Sequence, residues 1–265
     1  MGQPLNVAPG KPIRLQDFET GCSNGNKQKA LQRLEKNTQI LDALGYRLYA
    51  EGRRSLLLVL QGMDTSGKDG AIRKVMQGFN PQSCSVTSFK QPSAEELAHD
   101  FLWRISKAVP RRGYVGIFNR SHYEDVLVVR VHNLVPKSEW KTRYDRINRF
   151  EELLAEAGTT VVKIFLHISK EEQRKRLQAR LDDPTKRWKF DAADLKERSY
   201  WKQYQQAYEV ALTRCNTSYA PWYIVPADCK WYRNLIVSQI LRKALERLNP
   251  KFPPPQPGLD DLRVK

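Results

Sequence analysis

The feature that most constrains this chain is a buried-strand pattern followed at once by a phosphate-binding motif. Residues 55–61 read SLLLVLQ, a short apolar run typical of strands covered on both faces of a parallel sheet. Residues 62–68 then read GMDTSGK, which fits G-x-x-x-x-G-K, and a helix is predicted from about 67 to 78. In such a turn glycines let backbone N–H groups point inward, and the helix N-terminus adds partial positive charge. The sequence therefore predicts a P-loop.

Four further apolar segments have the length of buried strands, and segments of helical character separate them. Capping boxes formed by Ser93 with Glu96 and by Ser169 with Glu172 mark two helix starts. The alternation predicts an α/β fold of three layers, a five-stranded parallel sheet flanked by helices. The further strands are predicted at 85–89, 114–119, 160–168 and 222–226.

Neither end of the chain has a periodic pattern. Residues 1–26 are rich in Gly, Pro and Asn, which predicts an N-terminal arm that wraps a neighbour or stays loose. Residues 249–265 are rich in proline, which predicts an extended tail. We expect the residues between them to form one domain. With the arm and the tail included, we predict a single domain over 1–265. An apolar stripe on the helix predicted from 27 to 51 favours a homodimer or homotetramer.

Lys and Arg number 45 against 29 Asp and Glu, and the formal net charge is +16. Such an excess attracts polyanions, and charge alone leaves open a nucleic acid, a membrane surface or a phosphate polymer. No apolar run approaches the roughly 20 residues that span a bilayer, and no secretory signal is recognised, so we expect a cytoplasmic protein without a membrane partner.

The cysteines are widely spaced, which predicts reduced thiols: Cys22, Cys84, Cys215 and Cys229.

The P-loop departs from the common pattern, because Asp69 follows Lys68 where Ser or Thr usually binds Mg²⁺. Asp64 offers a hard oxygen ligand inside the loop, and it is the candidate metal ligand. Side-chain capping of its own backbone is the alternative for Asp64. The candidate phosphate ligands of this segment are Gly62, Met63, Thr65, Ser66, Gly67, Lys68, Asp69 and Arg73.

Polar residues also follow the strand predicted at 114–119, at the end where ligands bind in open parallel sheets. Arg120 could stabilise phosphate charge, and nearby carboxylates could hold a metal or read a base edge. A structural ion pair between Arg120 and Glu124 is the alternative. The candidate nucleotide ligands are Asn119, His122, Glu124 and Asp125.

A basic segment at 174–189 predicts a lid, which we place at about 170–200. Arg176 and Arg180 are four residues apart and share one helix face, where their guanidinium groups can grip phosphate. Pairing of Glu172 with Arg176 on an exposed helix is the alternative, and it explains only part of the charge. Beyond the helix the positive line continues through Lys186, Arg187 and Lys189.

Five motifs, in order, resemble the polyphosphate kinase 2 family: GMDTSGKDG at 62–70, FNRSHYEDV at 118–126, ISKEEQ at 168–173, DPTKRWK at 183–189 and YAPWY at 219–223. The resemblance implies a thymidylate-kinase-like P-loop kinase with a helical lid. It implies that the terminal phosphate of inorganic polyphosphate passes reversibly to AMP or ADP, forming ADP or ATP, with Mg²⁺ or alternatively Mn²⁺. It assigns catalysis to Asp64, Lys68, Arg120 and Arg180.

The second motif looks most like the short, single-domain class that phosphorylates both AMP and ADP. Other classes have Asp where this chain has Asn119, so the resemblance supplies no second metal-binding carboxylate there. Guanine nucleotides remain an alternative acceptor. Two rival functions stay open: an ATP-dependent nucleoside or nucleoside monophosphate kinase, against which the basic lid counts, and a nucleic-acid-binding protein with a vestigial P-loop. Because the tryptophans fall in segments typical of lid or core, we expect no nucleic acid partner.

Overall fold

The computed structural model describes residues 5–6, 8–22, 26–259 and 262–264. One sheet lies at the centre, with strand order β1-β6-β5-β2-β4-β3. Its strands are β1 Leu5–Asn6, β2 Ser55–Gln61, β3 Cys84–Ser88, β4 Val115–Asn119, β5 Thr159–His167 and β6 Trp222–Pro226. The predicted five-stranded parallel sheet is confirmed in β2 to β6. The additional strand β1 pairs antiparallel with β6 and lies in the predicted arm, where two residues are too few to show a pattern.

The strand order explains where the site forms. β2 is central and every one of its residues is buried. From β2 the chain builds β3 and β4 on one side and then β5 and β6 on the other. At such a reversal the connections leave the strand ends in opposite directions and open a crevice beyond their carboxyl ends. The P-loop follows β2 at this crevice.

Helices cover the sheet on both faces and account for the apolar periodicity. The long helices are α1 Lys27–Glu51, α2 Lys68–Met76, α6 Lys137–Glu156, α7 Lys170–Asp182, α9 Trp201–Arg214 and α10 Lys230–Leu248. The short ones are α3 Ala94–Leu97, α4 Trp103–Ala108, α5 Val128–Val131 and α8 Ala193–Ser199. Leu34, Leu41, Leu44 and Leu48 of α1 are buried as the stripe predicts, whereas Leu31 is exposed.

One of the two predicted capping boxes is complete. Ser93 accepts from the Glu96 N–H and the Glu96 carboxylate accepts from the Ser93 N–H. At α7 the Ser169 hydroxyl accepts from the Glu172 N–H at 3.0 Å, but the Ser169 N–H donates to Asp228. The Glu172 carboxylate is bound instead by Arg176, so the second box is replaced by a long-range contact.

The described part of the N-terminal arm packs on its own chain, contrary to the prediction of a loose or neighbour-wrapping segment. Ile13 and Leu15 are buried, and their N–H groups donate to Thr213 at 3.0 Å and Glu209 at 2.8 Å on α9. Residues 1–4, 7 and 23–25 of the arm lie outside the described residues. In the described part of the tail, residues 251–256 belong to no helix or strand.

The prediction of four reduced thiols is wrong for one pair. Cys22 is disulfide-bonded to Cys229, which occupies the N-cap position of α10. Cys84 and Cys215 are free thiols. The two bonded residues are 207 positions apart, a separation that no local spacing rule can detect.

Along the described chain, none of the helices has the length and apolar character needed to cross a membrane.

Candidate active site

The turn between β2 and α2 has the backbone of a phosphate-binding loop. Gly62 and Gly67 have φ of 155° and 97°, and Thr65 has φ of 62°, which is uncommon for a residue with a side chain. A Cβ at Gly62 would lie 2.8 Å from the Leu166 carbonyl oxygen, so only glycine fits there. Backbone with uncommon φ values persists only where the surrounding structure holds it in place, and it is found most often at active sites and ligand-binding sites.

Lys68 begins α2 and is buried behind this turn. Its Nζ donates to the Gly62 carbonyl at 2.8 Å and the Met63 carbonyl at 3.4 Å. Burial lowers the pKa of Lys68, and the neighbouring Asp64 carboxylate opposes that shift. The ammonium is therefore held in the loop as a charge that a phosphate group can approach.

Arg120 extends from the end of β4 toward the loop. It has φ of 63°, and its Nη2 donates to Asp64 Oδ1 at 3.0 Å. The ion pair predicted as an alternative, between Arg120 and Glu124, is replaced by this one. Burial opposes the charge of Arg120, but the carboxylates of Glu124 and Asp64 outweigh it and raise the pKa of Arg120.

A large basic cavity of about 840 Å³ opens between the loop and the lid. Lys90 and Lys230 also line it, and neither is among the site residues predicted from the sequence. Lys90 lies two residues after the end of β3, and this position at a strand end could have identified it as a candidate ligand. No comparable sequence pattern identifies Lys230. The cationic side chains of this basic cavity are Lys68, Lys90, Arg120, Arg176, Arg180, Lys186, Lys189 and Lys230.

The two lid arginines predicted to grip phosphate differ in their contacts. Arg176 donates from Nη1 to the Thr65 carbonyl at 2.8 Å and the Ser66 carbonyl at 3.1 Å, and its Nε donates to Glu172 at 2.8 Å. It therefore ties α7 to the P-loop, and the predicted pairing with Glu172 does occur. Arg180 makes longer contacts, to the Asp194 carboxylate at 3.3 Å and the Lys189 carbonyl at 3.2 Å. Arg180 is therefore the lid arginine that can exchange partners more readily.

A smaller acidic cavity of about 250 Å³ lies on the other side of the Asp64–Arg120 ion pair. Four carboxylates besides Asp64 line it, together with Arg198 and two tyrosines. Burial raises the pKa of Glu124, and the charges of Arg120 and Lys68 oppose this. The acidic cavity is lined by Gly62, Met63, Asp64, Arg120, Glu124, Val128, Gln173, Asp191, Ala193, Asp194, Glu197, Arg198, Tyr204 and Tyr208.

The structure brings most of the predicted phosphate ligands to these cavities. Thr65, Gly67, Lys68, Asp69, Arg176, Arg180, Lys186 and Lys189 line the basic cavity. Gly62 and Met63 line the acidic one, and Ser66 is buried in the loop behind it. Arg73 is exposed near the end of α2, and Arg187 donates from Nε to the Leu181 carbonyl at 2.8 Å; neither lines the basic or the acidic cavity.

The predicted nucleotide ligands separate into two groups. Asn119 lines the basic cavity, where it donates to Asp69 at 2.8 Å, and Glu124 lines the acidic one. His122 is fully buried with its Nε2 3.1 Å from Glu151. Asp125 is buried and accepts from Arg143 at 2.8 Å. His122 and Asp125 line neither cavity, because the short 3-10 helix His122–Asp125 turns them into the core.

Carboxylates near the loop have the donor chemistry of a Mg²⁺ site. Within the described ranges no group of three or more His, Cys, Asp or Glu side chains is arranged to hold a metal by itself. Magnesium normally keeps several waters and binds through one or two carboxylates together with substrate phosphates. Asp64 and Asp69 both line the basic cavity, so the residues present fit a metal that is bound together with phosphate.

Comparison with known proteins agrees with this geometry. The family model described as polyphosphate kinase 2 matches residues 24–253. The AMP/ADP-polyphosphate phosphotransferase of Meiothermus ruber is 51% identical over 98% of this chain and 98% of that protein. The ADP-polyphosphate phosphotransferase of Rhodopseudomonas palustris is 48% identical over 97% and 92%. A crystal structure of polyphosphate kinase 2 from Arthrobacter aurescens TC1 superimposes with a TM-score of 0.93 and 44% identity, over 97% of this chain and 93% of that one. This chain belongs to the polyphosphate kinase 2 family.

Proposed function

We propose that this protein transfers the terminal phosphate of inorganic polyphosphate to AMP or ADP, reversibly, to form ADP or ATP. The observation that carries the proposal is the basic cavity beside the P-loop. Eight cationic side chains line it against the four carboxylates of Asp64, Asp69, Asp191 and Asp194, an excess of positive charge that attracts a polyanion. The relatives' names, AMP/ADP-polyphosphate phosphotransferase and ADP-polyphosphate phosphotransferase, support the same substrates.

We place polyphosphate in the basic cavity and the nucleotide at the acidic one, so that donor and acceptor phosphates meet at Asp64 and Arg120. Glu124, Tyr204 and Tyr208 line the acidic cavity and can contact the nucleoside part of the acceptor. Base preference between adenine and guanine nucleotides would be decided on that side, because the basic cavity offers mainly phosphate-binding groups.

The transfer joins an oxygen of the nucleotide's terminal phosphate to the end phosphorus of the polymer, and the bond from that phosphorus to its bridging oxygen breaks. The polymer leaves one unit shorter, with the electron pair on that oxygen. Lys68, Arg120 and Arg180 hold donor and acceptor in line and neutralise the charge that spreads over the transferring group. Asp64 orients Arg120 and would hold Mg²⁺, or alternatively Mn²⁺. When bound, that ion supplies charge neutralisation at the phosphate oxygens.

The proposal is tested by incubating the protein with long-chain polyphosphate and Mg²⁺, separately with AMP, ADP, GMP and GDP, and measuring the next higher nucleotide. Lys68→Ala should lose the product while remaining folded by circular dichroism. Lys74→Ala is the matched control, because Lys74 lies on the same helix, donates to Gln77 at 2.8 Å and lines neither cavity. Turnover of ATP but never of polyphosphate would favour the rival nucleotide kinase and refute the proposal.

We further propose a homodimer or homotetramer in the cytoplasm. Large side chains on α1 remain exposed, at 44% for Leu31, 58% for Tyr46 and 45% for Tyr49. A face of this kind supports self-association. Light scattering of the purified protein would give the molar mass, and a monomer at micromolar concentration would refute this.

A further inference from the structure

Arg233, in the first turn of α10, is a buried cation that is not among the site residues predicted from the sequence. Its relative exposure is 2%. Its Nη1 donates to the Ser66 carbonyl at 3.3 Å, and its Nε and Nη2 donate to the side-chain oxygen of Asn234 at 3.1 and 2.9 Å. Buried charges are normally paired with an opposite charge. Within the described chain, however, the acceptors of Arg233 are neutral oxygens, and no carboxylate forms an ion pair with it.

Two glycines of α2 and its cap make room for this guanidinium. A Cβ at Gly67 would lie 1.8 Å from Arg233 Nη1, and a Cβ at Gly70 would lie 3.1 Å from Arg233 Nη2. The guanidinium thus packs directly against the backbone at the start of α2. Gly67 and Gly70 belong to the phosphate-binding motif, so Arg233 and the motif form one structural unit.

The surroundings of Arg233 are positively charged. Arg176 donates to the same Ser66 carbonyl, and Lys230, the first residue of α10, lines the basic cavity. The first turn of α10 contains no acidic residue, although a helix N-terminus favours negative charge. Burial and the charge of Arg176 lower the pKa of Arg233 to about 10, so it stays protonated at neutral pH.

The contact with Ser66 also sets the direction of the loop backbone. In a planar trans peptide the C=O and the following N–H point to opposite sides. Arg233 and Arg176 bind the Ser66 carbonyl, so the Gly67 N–H is directed away from them. Gly67 lines the basic cavity, so the contact of Arg233 with the preceding carbonyl orients backbone that faces this cavity.

We propose that Arg233 is a positioning residue for phosphate binding: it fixes the Ser66 carbonyl behind the P-loop and contributes a buried positive charge that bound polyphosphate compensates. The inference rests on the proposed function, because it needs phosphate in the basic cavity. No carboxylate of the described chain pairs with the Arg233 guanidinium, so a phosphate group bound in the basic cavity would supply the opposite charge.

The test compares Arg233→Met, Arg233→Lys and the matched control Arg242→Met in the full-length protein. Arg242 lies on the same helix, where it donates to Glu246 at 2.7 Å near the surface. For Arg233→Met we expect the KM for polyphosphate to rise about tenfold while the KM for the nucleotide changes less than about twofold. Its Tm without ligand should equal or exceed that of the wild type, because an unpaired buried charge has been removed. Its Tm increase on adding polyphosphate should be smaller than that of the wild type.

Arg233→Lys keeps the charge, so it should restore most of the polyphosphate affinity, and Arg242→Met should behave as the wild type. A wild-type KM and thermal shift in Arg233→Met would overturn the inference. So would failure of that variant to fold, or an Arg233→Lys variant as weak as Arg233→Met, because both would assign Arg233 to packing alone. If the wild type itself shows neither turnover nor thermal stabilisation with polyphosphate, the proposed function fails, and the inference fails with it.

Discussion

Arg120 and Asp64 join the ends of two neighbouring strands, with Arg120 Nη2 3.0 Å from Asp64 Oδ1. Both side chains line the basic cavity and the acidic cavity, so this ion pair lies on the boundary between them. A donor phosphate on one side and an acceptor phosphate on the other would both approach the Arg120 guanidinium. In the proposed reaction this ion pair would therefore lie between the donor and acceptor phosphates.

We expect Asp64→Asn to lower kcat by about 10²–10³-fold, the size of effect seen when one preorganised electrostatic group is removed. The amide cannot balance the Arg120 charge, and it is a poorer metal ligand. Steady-state kinetics with polyphosphate and ADP measures the change. The matched control is Asp42→Asn on α1, which is exposed and remote from both cavities. Equal activity of the two variants would remove Asp64 from the mechanism.

We expect Arg180→Ala to raise the KM for polyphosphate by about ten- to a hundredfold, since a hydrogen bond to a charged group contributes roughly 1.5–3 kcal/mol. Arg174 provides the comparison on the same helix, because it pairs with Glu171 at 2.7 Å at the surface and lines neither cavity. Arg174→Ala should change the KM by less than about twofold, as surface ion pairs contribute little. If both arginines gave the same change, the lid would act only through its overall charge.

A buried network that joins α6 to β5 predicts a pH-dependent loss of stability. Glu151 is bound by Lys163, His122 and Tyr123 in the core. Burial alone would raise the pKa of Glu151, but Lys163 and His122 outweigh it and lower the pKa below its ordinary value of 4.5. Such a carboxylate stabilises the fold above its unfolded pKa, and this stabilisation is lost as pH falls through the folded pKa.

Glu151→Gln should therefore reduce the free energy of unfolding near neutral pH by about 3–5 kcal/mol, because it leaves a buried Lys163 without its counter-ion. As the pH falls below 4.5 its difference from the wild type should shrink, because the unfolded wild type takes up a proton at Glu151 that the folded state, with its lowered pKa, takes up only at lower pH. Urea unfolding at several pH values measures both effects. Glu152→Gln, at the exposed neighbouring position, should be close to wild type at every pH. A pH-independent difference between Glu151→Gln and wild type would argue against this assignment.

The Cys22–Cys229 bond predicts two titratable thiols, from Cys84 and Cys215, in protein denatured without reductant. Cys22→Ser should lower the free energy of unfolding by about 2–4 kcal/mol relative to the oxidised protein, because the bond closes a long loop in the unfolded chain. Denaturant unfolding with and without a thiol reductant measures this, and reduction should leave Cys22→Ser unchanged. Cys84→Ser serves as the control. Four thiols in the untreated protein would contradict the bond.

The parallel strands, the P-loop and the place of Arg120 at a strand end could all be predicted from the amino-acid sequence. These follow from periodicities and motifs that span at most a few turns or one strand, so neighbouring residues carry the information. Membership of the polyphosphate kinase 2 family was expected on the same short motifs and is confirmed.

Which charged groups meet depends on the packing of distant segments and could not be predicted from the sequence. Arg176 binds the carbonyls of Thr65 and Ser66 from 110 or more positions away, and Arg233 binds Ser66 from 167. His122, predicted beside the nucleotide, lies in the core with Glu151. Such contacts depend on how helices far apart in the chain pack on one sheet, and side-chain burial there selects the partner. The spacing of residues in the sequence does not reveal that packing. Residue type alone therefore could not distinguish an arginine that binds phosphate from one that only stabilises the fold.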